Sequence, residues 1–398
     1  MLQRRSKPIN SKCFYPFLTA QFLSALADNA LLFAAIALIA STNAPNWHEP
    51  LLLQFFVIAY VVLAPFVGAF ADAKPKGQVM FIANSIKFVG CIAMFFGLQP
   101  LYAYGIVGIG AAAYSPAKYG ILTELLPKES LFPANGWVEG LTVAAIILGA
   151  VIGGELASKE MDLSYSILII SSLSFGAARF TRYIPILPST PRLKKNTPGV
   201  LVKDFFKSCV KLGKDPLGQL SLAVTTLFWG AGATLRLVVI AWAAFVFNYG
   251  LDQATKLTAV VALGVAFGAV ISSRYVRMED SIKILPSGII MGCLVCSMVF
   301  ISTWEMAALI LFTIGVMSGI LIVPMNALLQ YRGHILVGAG HSIAAQNFSE
   351  NLGILILSGT YTMMVGFQLP INGIVFIFGL FVLLAMVIIS QYYADTQS

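Results

Sequence analysis

The chain of 398 residues is 58% hydrophobic and only 11% charged, with a mean hydropathy of +0.85. Soluble domains carry about a quarter of their residues as charges, so this composition excludes a soluble globular protein and indicates one with many membrane-spanning segments. The formal net charge of +8 would suit a nucleic-acid-binding protein, but the cations are confined to alternate connections between apolar runs, which is the pattern of a membrane face.

Twelve apolar runs follow one another along the chain, and a run of about 20 apolar residues is long enough to cross a bilayer as an α-helix. The first run is a full span and lacks the small-residue cleavage site of a signal peptide, so we expect it to be retained. The runs lie near residues 17–40, 50–71, 79–97, 100–123, 134–157, 163–184, 220–249, 253–275, 281–302, 305–329, 338–366 and 370–391.

Basic residues distinguish the two sides of the predicted membrane. Twenty Lys and Arg residues lie on the side of the chain termini, whereas the connections on the other side contain only Lys159 and Lys256. Under the positive-inside rule both termini face the cytoplasm. Nine of the twenty lie between residues 179 and 214, so we predict an N-terminal six-helix half (1–184), a basic cytoplasmic linker (185–219) and a C-terminal six-helix half (220–398).

The two halves are related by an offset of 208 residues. At this offset Pro116 falls on Pro324, within similar runs rich in small residues, and Asp28 falls on Arg236. Two parallel six-helix repeats with a site between them near the bilayer midplane resemble the major facilitator superfamily. The expected fold is therefore an all-α polytopic membrane protein with twelve transmembrane helices in two pseudo-symmetric halves.

The connection between the second and third runs resembles the loop motif of that superfamily, through Gly68, Asp72, Lys74 and Lys76. We expect Gly68 to permit close helix approach, Asp72 to cap a neighbouring helix terminus, and the two lysines to hold the loop in the cytosol. An ordinary positively charged turn is the alternative interpretation.

Charged side chains inside the predicted spans are the main functional signal. Each costs roughly 3 kcal/mol near the bilayer centre when unpaired, so such groups pair with one another or line a wet cavity. Asp28, Lys118 and Arg236 lie on the first, fourth and seventh spans, which line the cavity in this architecture, and we predict cavity positions for them. For Lys87, on the third span, we predict a peripheral interhelical bridge, and Glu139 is predicted either at the cavity or at the cytoplasmic interface.

The eleventh run contains a polar stripe. Gln346, Asn347, Glu350 and Asn351 are spaced by three and four residues, so a helix places them on one face. A polar face within an apolar run is poorly suited to lipid contact, and we predict that it joins the cavity together with Asn29, the neighbour of Asp28.

Four blocks closely resemble the bacterial lysophospholipid transporter family: residues 20–33 (AQFLSALADNALLF), 108–122 (GIGAAAYSPAKYGIL), 227–236 (LFWGAGATLR) and 323–330 (VPMNALLQ). The resemblance implies import of lysophosphatidylethanolamine and lysophosphatidylglycerol from the outer to the inner leaflet of the bacterial inner membrane. It also implies re-acylation by a partner, a cytoplasmic-side acyltransferase/acyl carrier protein synthetase. None of the three histidines is followed by the Asp that such acyltransferases require, so we expect the chain to be a transporter and not an enzyme, with no cofactor or metal.

The charges suggest a gate. Lys118 and Arg236 would hold the phosphate of a lysophospholipid, and the carboxylates would hold its amine. We hypothesise that Asp28 and Arg236 pair across the halves in one state and exchange that bond for substrate. A proton-coupled exporter of drugs or small polar solutes is the alternative function, in which Asp28, Glu139 or Glu350 would carry protons.

Paired glycines at 149/153 and 315/319 are predicted to pack helices.

Overall fold

The computed structural model describes residues 11–42, 45, 47–125, 128–158, 162–184, 197–276 and 280–395. Over these residues the chain is all-helical, with thirteen α-helices and a short 3₁₀ turn at Met298–Phe300. The helices are α1 Ser11–Ser41, α2 His48–Ala73, α3 Lys76–Phe95, α4 Pro100–Leu125, α5 Lys128–Leu156, α6 Leu163–Thr181, α7 Pro198–Lys214, α8 Pro216–Phe247, α9 Leu251–Tyr275, α10 Pro286–Ser297, α11 Trp304–Leu336, α12 Ala339–Gly366 and α13 Ile371–Asp395.

Each of the twelve apolar runs coincides with one of these helices, and α7 is the additional one. Eight helices of the described chain are long and apolar enough to cross a membrane, and two further apolar segments, Gly140–Leu156 and Pro286–Phe300, are shorter. The remaining two runs coincide with α4 and α12, which have 26 and 28 residues. Crossing by all twelve helices remains a prediction. The basic linker, expected as a loop, contains the helix α7.

The helix contacts repeat between the halves. In the first half α1 packs on α5 and α6, α2 on α4, and α3 on α4 and α6; the second half repeats these pairs as α8 with α12 and α13, α9 with α11, and α10 with α11 and α13. Two helix contacts join the halves, α2 with α12 and α5 with α9, and we call these contacts the seams. The correspondence between the halves maps each seam onto the other. The bundle therefore has pseudo-twofold symmetry, as the 208-residue offset predicts.

The hydrophobic core differs between the two sides of the bundle. We call the side on which α1 begins and α13 ends the terminus side, and the opposite side the far side. On the far side one continuous cluster takes residues from both halves, including Phe33 of α1 and Trp242 of α8, both fully buried. On the terminus side the first half has its own cluster around Phe17, and the second half has separate clusters around Leu220 and Leu329. The far side is thus the sealed side.

Glycines allow the closest helix approaches, as predicted for the two glycine pairs. A Cβ placed on Gly153 of α5 would stand 2.8 Å from the Cα of Ala30 in α1, and one on Gly319 of α11 would stand 2.2 Å from the carbonyl oxygen of Val265 in α9. Real Cβ atoms do not approach backbone atoms so closely, so these helices pack through the missing side chains.

The connection between α2 and α3 differs from its prediction. A Cβ on Gly68 would meet nothing within 4 Å, so the expected close helix approach at this residue is wrong. Lys76 is buried and its Nζ donates to the carbonyl oxygen of Ala71 at 2.8 Å, so it caps the end of α2 instead of extending into solvent. Lys74 is exposed. The side chain of Asp72 lies outside the described residues, and its capping role stays a prediction.

The start of α8 is held by Asp215. Its carboxylate accepts from the backbone N–H of Gly218 at 2.8 Å and from Nε of Arg332 on α11 at 2.8 Å, with a second contact to Nη2 of the same guanidinium. The Arg332 hydrogen bonds, aided by the Gly218 N–H, lower the pKa of this carboxyl below its ordinary value. Asp215 therefore acts both as the N-cap of α8 and as the carboxylate partner in a bidentate ion pair with Arg332.

We expect the change Asp215→Ala to lower the free energy of unfolding by about 1–2 kcal/mol, because the cap and the ion pair are both lost. Asp215→Asn keeps the cap and removes the charge, so it isolates the ion pair. A carboxyl with a lowered folded-state pKa stabilises the protein above its unfolded pKa of about 4, and that contribution disappears as pH falls through the lower folded value. Thermal unfolding in detergent should therefore show a smaller acid destabilisation in Asp215→Asn than in the native chain. Equal acid destabilisation in both would contradict this assignment.

Candidate functional site

A central cavity of about 490 Å³ lies between the halves. It is lined by residues of α1, α2, α3, α4, α5, α8, α9 and α12, so both halves contribute. Among the predicted residues it collects Asp28, Asn29, Lys118, Arg236, Asn347, Glu350 and Asn351, together with Lys87. Five different helices thus bring their ionisable side chains to one space, although those residues are far apart in the sequence.

Asp28 is paired with Lys87. The Lys87 ammonium contacts Oδ2 of Asp28, donates to Oγ of Ser24 at 2.9 Å, and lies 5.1 Å from the ring centroid of Tyr114. The Lys87 side chain is 4% exposed and that of Asp28 is 17% exposed. Oδ1 of Asp28 is buried and has no hydrogen-bond partner among the described residues. One oxygen of the carboxylate is therefore engaged and the other is not.

Arg236 forms a polar contact between the halves. Its Nη1 donates to Oδ1 of Asn29 at 2.9 Å, and its guanidinium carbon lies 4.6 Å from the ring centroid of Phe33. Asn29 is oriented by its own bond from Nδ2 to the carbonyl oxygen of Ala25 at 2.8 Å. Nη2 of Arg236 has no partner within the described part of the chain. The guanidinium is thus held by an aromatic face and one amide while a donor nitrogen stays unused.

The pairing differs from the predicted gate. We predicted an Asp28–Arg236 bond in one state, whereas in this structure Asp28 binds Lys87 and Arg236 binds the adjacent Asn29. Lys87 was predicted as a peripheral bridge. It does bridge α3 to α1, but it also lines the cavity. The bridge is made by the long lysine stem, which reaches from α3 to a carboxylate on a helix that does not pack closely against it.

The polar stripe on α12 divides into two parts. Asn347, Glu350 and Asn351 line the cavity, and Nδ2 of Asn347 donates to Oγ of Ser115 on α4 at 3.1 Å, which joins the two halves. Gln346 does not line the cavity. Its Nε2 donates to Oε1 of Glu350 at 2.7 Å and to Oδ1 of Asn326 on α11 at 3.0 Å, so it orients the carboxylate from behind.

The two remaining predicted residues are Lys118 on α4 and Glu139 on α5. Lys118 lines the cavity and is 9% exposed. Glu139 lies on α5, but its side chain is outside the described residues, so the choice between cavity and interface stays open.

The walls of the cavity separate into polar and apolar regions. The charged groups come from α1, α3, α4, α8 and α12. The helices α2 and α9 contribute mainly apolar side chains instead, with Leu53, Phe56 and Val57 from α2 and Val261 and Val265 from α9. A space with convergent charges on some walls and hydrocarbon on others suits an amphiphile better than a small polar solute.

Several lining residues were not predicted as site residues. Besides Lys87 these include Gln21, Ser24 and Ser115, which make hydrogen bonds at the cavity, and Trp229, whose buried Nε1 has no partner among the described residues. Gln21, Ser24, Ser115 and Trp229 all lie within the sequence blocks that carry the family resemblance, and this was the available signal. Their orientation toward the cavity depends on helix rotation, which the blocks do not specify.

We expect Lys87→Met to lower the free energy of unfolding by about 3 kcal/mol, because the Asp28 carboxylate would be left largely buried without its partner. The double variant Asp28→Asn/Lys87→Met removes both charges and should recover most of that loss. Thermal or denaturant unfolding in detergent measures both. The single variant Asp28→Asn completes the cycle, and if its effect and that of Lys87→Met simply add in the double variant, the two residues do not form a coupled pair.

Comparison with known proteins is consistent with this geometry. The family model described as Major Facilitator Superfamily matches residues 17–358. The chain is 42% identical over 368 residues to the Lysophospholipid transporter LplT of Yersinia enterocolitica, covering 92% of this chain and 90% of that protein, and 42% identical over 374 residues to the protein of the same name from Yersinia pestis.

Two solved structures have a similar fold. A bacterial homolog of the human lysosomal transporter Spinster, in an inward-facing and unoccupied conformation, superposes with a TM-score of 0.69 at 13% identity, covering 98% of this chain and 99% of that one. The human organic anion transporter MFSD10 superposes with a TM-score of 0.70 at 14% identity, covering 96% and 100%.

Proposed function

The chain belongs to the major facilitator superfamily and, within it, to the lysophospholipid transporters, and from this membership we propose that it moves lysophospholipids between the leaflets of a bilayer by alternating access. The observation that carries the proposal is the amphiphilic cavity between the halves. Transport requires no covalent chemistry, and the family is one of transporters.

The head group of the substrate is proposed to bind at the charged walls. Arg236 offers an unused guanidinium nitrogen, and Lys118 lines the same cavity, so both suit a phosphate. The unpartnered Oδ1 of Asp28 suits an ammonium such as that of lysophosphatidylethanolamine. Glu350, oriented by Gln346, is a second carboxylate at this cavity.

The single acyl chain is proposed to lie along the apolar walls that α2 and α9 contribute. Leu53, Phe56 and Val57 form one wall and Val261 and Val265 form another. α2 and α9 border the two seams between the halves, so an acyl chain on these walls lies close to the surrounding lipid. This reduces the apolar area that must be moved through a polar environment.

Alternating access is supported by the asymmetry of the core. The far side is sealed by a shared apolar core, by the Glu155–Lys256 ion pair at 2.9 Å, and by a hydrogen bond from Gln54 to Thr362 at 2.5 Å. On the terminus side each half keeps its own core. Rocking the halves would open the far side and bring the terminus-side cores together, while the charged site stays between them.

We further propose the setting implied by the charge distribution and by the family. With twenty cations on its side, the terminus side is assigned to the cytoplasm, and the membrane to the bacterial inner membrane. Lysophospholipid delivered to the inner leaflet would be re-acylated by a separate acyltransferase/acyl carrier protein synthetase. The division into halves 1–184 and 220–398, joined by linker 185–219, belongs to the same proposal.

The test is a leaflet-exchange assay. Purified protein is reconstituted into liposomes, labelled lysophosphatidylethanolamine is added from outside, and extraction by albumin measures the fraction that has moved inward. The proposal expects faster inward movement than in protein-free liposomes, and competition by lysophosphatidylglycerol. A proton ionophore arm distinguishes the alternative, because transport by a proton-coupled exporter would depend on an imposed pH gradient. Identical exchange with and without protein would refute the proposed function.

A further inference from the structure

The linker helix α7, Pro198–Lys214, is amphipathic in an unusual way. Its inner face, with Phe205 and Leu212 buried, packs against the bundle. Its outer face has a stripe of exposed lysines at positions 203, 207, 211 and 214. Beside that stripe lie Phe206 and Val210, one turn apart and 46% and 55% exposed. Two apolar side chains adjoining a cationic stripe are costly in bulk water but well placed at a lipid interface.

Two contacts fix α7 at the level where the spanning helices begin. Asp215 is both the C-cap of α7 and the N-cap of α8, so α7 ends where the next span starts. Lys211 donates from Nζ to the carbonyl oxygen of Leu336, at the terminus-side end of α11, at 2.6 Å. The helix is thus held against the terminus-side surface of the bundle, where it contacts α2, α8, α11 and α12.

α7 also contacts both sides of one seam. It packs on α2 from the first half and on α12 from the second. The rings of Phe205 and Phe206 lie 5.4 and 6.0 Å from that of Phe348 on α12, and Phe348 follows Asn347, which lines the cavity. A ligand on the outer face of α7 at Phe206 is therefore connected through Phe348 to Asn347 in the cavity wall.

We propose that α7 is an in-plane anchor whose outer face binds anionic phospholipid head groups of the terminus-side leaflet. Lys203, Lys207 and Lys214 contact the lipid phosphates, since Lys211 is already bound to α11, and Phe206 and Val210 enter the acyl boundary. Charge complementarity selects this occupant: the terminus side holds twenty cations, and an anionic lipid surface attracts basic residues close to it. By holding α7 against Phe348, bound lipid stabilises the position of α12 at the seam.

Hydrogen–deuterium exchange of the full chain in nanodiscs tests this surface. The probe is phosphatidylglycerol, mixed into phosphatidylcholine in one set of discs and absent from the other. We expect the backbone amides of α7 to exchange more slowly with phosphatidylglycerol, by roughly fivefold for each contributing lysine and so on the order of 100-fold for three. The segment of α12 around Phe348 should be protected in parallel.

Matched variants separate charge from structure. Lys203→Gln/Lys207→Gln/Lys214→Gln should lose the lipid-dependent protection, whereas the same positions changed to Arg should keep it. Asp204→Asn, which removes an exposed carboxylate from the same helix, should not weaken it. Unchanged exchange in α1–α6 verifies that each variant is folded. Equal exchange of α7 in both lipid mixtures, or full protection in the Gln variant, would overturn the proposal.

This inference does not depend on the transported substrate. A chain that moves no lysophospholipid in any liposome would refute the proposed function and leave the lipid-dependent protection of α7 intact. Conversely, transport with lipid-independent exchange of α7 would refute only the anchor.

Discussion

Oxidation of a cysteine pair introduced as Gly154→Cys and Thr255→Cys is expected to stop lysophospholipid movement, and a reducing agent is expected to restore it. Gly154 lies on α5 and Thr255 on α9, at the far-side end of one seam between the halves. A Cβ built on Gly154 stands 3.0 Å from the Cβ of Thr255, so a small local shift gives the separation of about 3.8 Å that a disulfide requires. The bond would join the halves on the sealed side, and alternating access requires that side to open.

The leaflet-exchange assay gives the measurement, with the fraction of cross-linked protein read by alkylation of free thiols. The chain has five cysteines of its own, so the native chain treated with the same oxidant is the first control. The single variants Gly154→Cys and Thr255→Cys are the second. Transport by fully cross-linked protein at the rate of the reduced form would show that the far side does not open during the cycle.

The fold was largely predictable because its causes are local. A run of apolar residues, such as 370–391, which corresponds to α13, specifies a helix in the membrane whatever surrounds it, since unpaired backbone groups are too costly there. The cations at the ends of the runs predict their orientation in the membrane. The helix α7 was missed because its segment was interpreted by its charge alone. The buried residues Phe205 and Leu212, seven apart, show the helical period that was available in the sequence.

The cavity residues could be predicted as a group but their pairing could not. An ionisable side chain inside an apolar run must be compensated, and this argument selects all six such side chains without reference to structure. The expected positions of the spans then favoured the cavity for Asp28, Lys118 and Arg236 and the periphery for Lys87, which in fact also lines the cavity. Their partners depend on helix rotation and side-chain reach. Repeat symmetry paired Asp28 with Arg236. In the structure the long side chain of Lys87 extends from α3 and its ammonium binds the Asp28 carboxylate instead.

The relation between these two pairs suggests how the site responds to substrate. Asp28 and Asn29 are neighbours on α1; the first binds Lys87 within its own half and the second binds Arg236 across the halves. An anion that takes the guanidinium from Asn29 would release this contact between the halves without disturbing the Asp28–Lys87 ion pair. We therefore propose that a substrate phosphate exchanges the Arg236–Asn29 bond while the Asp28–Lys87 pair stays in place.

Removal of the Arg236 guanidinium is accordingly expected to reduce transport strongly while leaving the fold intact. Hydrogen bonds to charged groups contribute about 1.5–3 kcal/mol, so loss of the phosphate contact in Arg236→Gln should lower the rate of exchange by roughly 10- to 100-fold. Arg236→Lys keeps the charge without the planar fork and should fall between. The contrast with Lys87 is that Arg236 bonds an amide and not a carboxylate, so its loss leaves no buried charge unpaired.

The measurements are the initial rate of leaflet exchange and the thermal unfolding temperature of each variant. Arg274→Gln is the matched control, because Arg274 is an exposed cation of the same half that does not line the cavity. We expect native transport from Arg274→Gln, and a native unfolding temperature from Arg236→Gln together with the loss of exchange. Full transport by Arg236→Gln would show that the Arg236 guanidinium does not bind the substrate. Equal losses in both arginine variants would mean that the effect comes from the net charge of the half and not from a contact within the cavity.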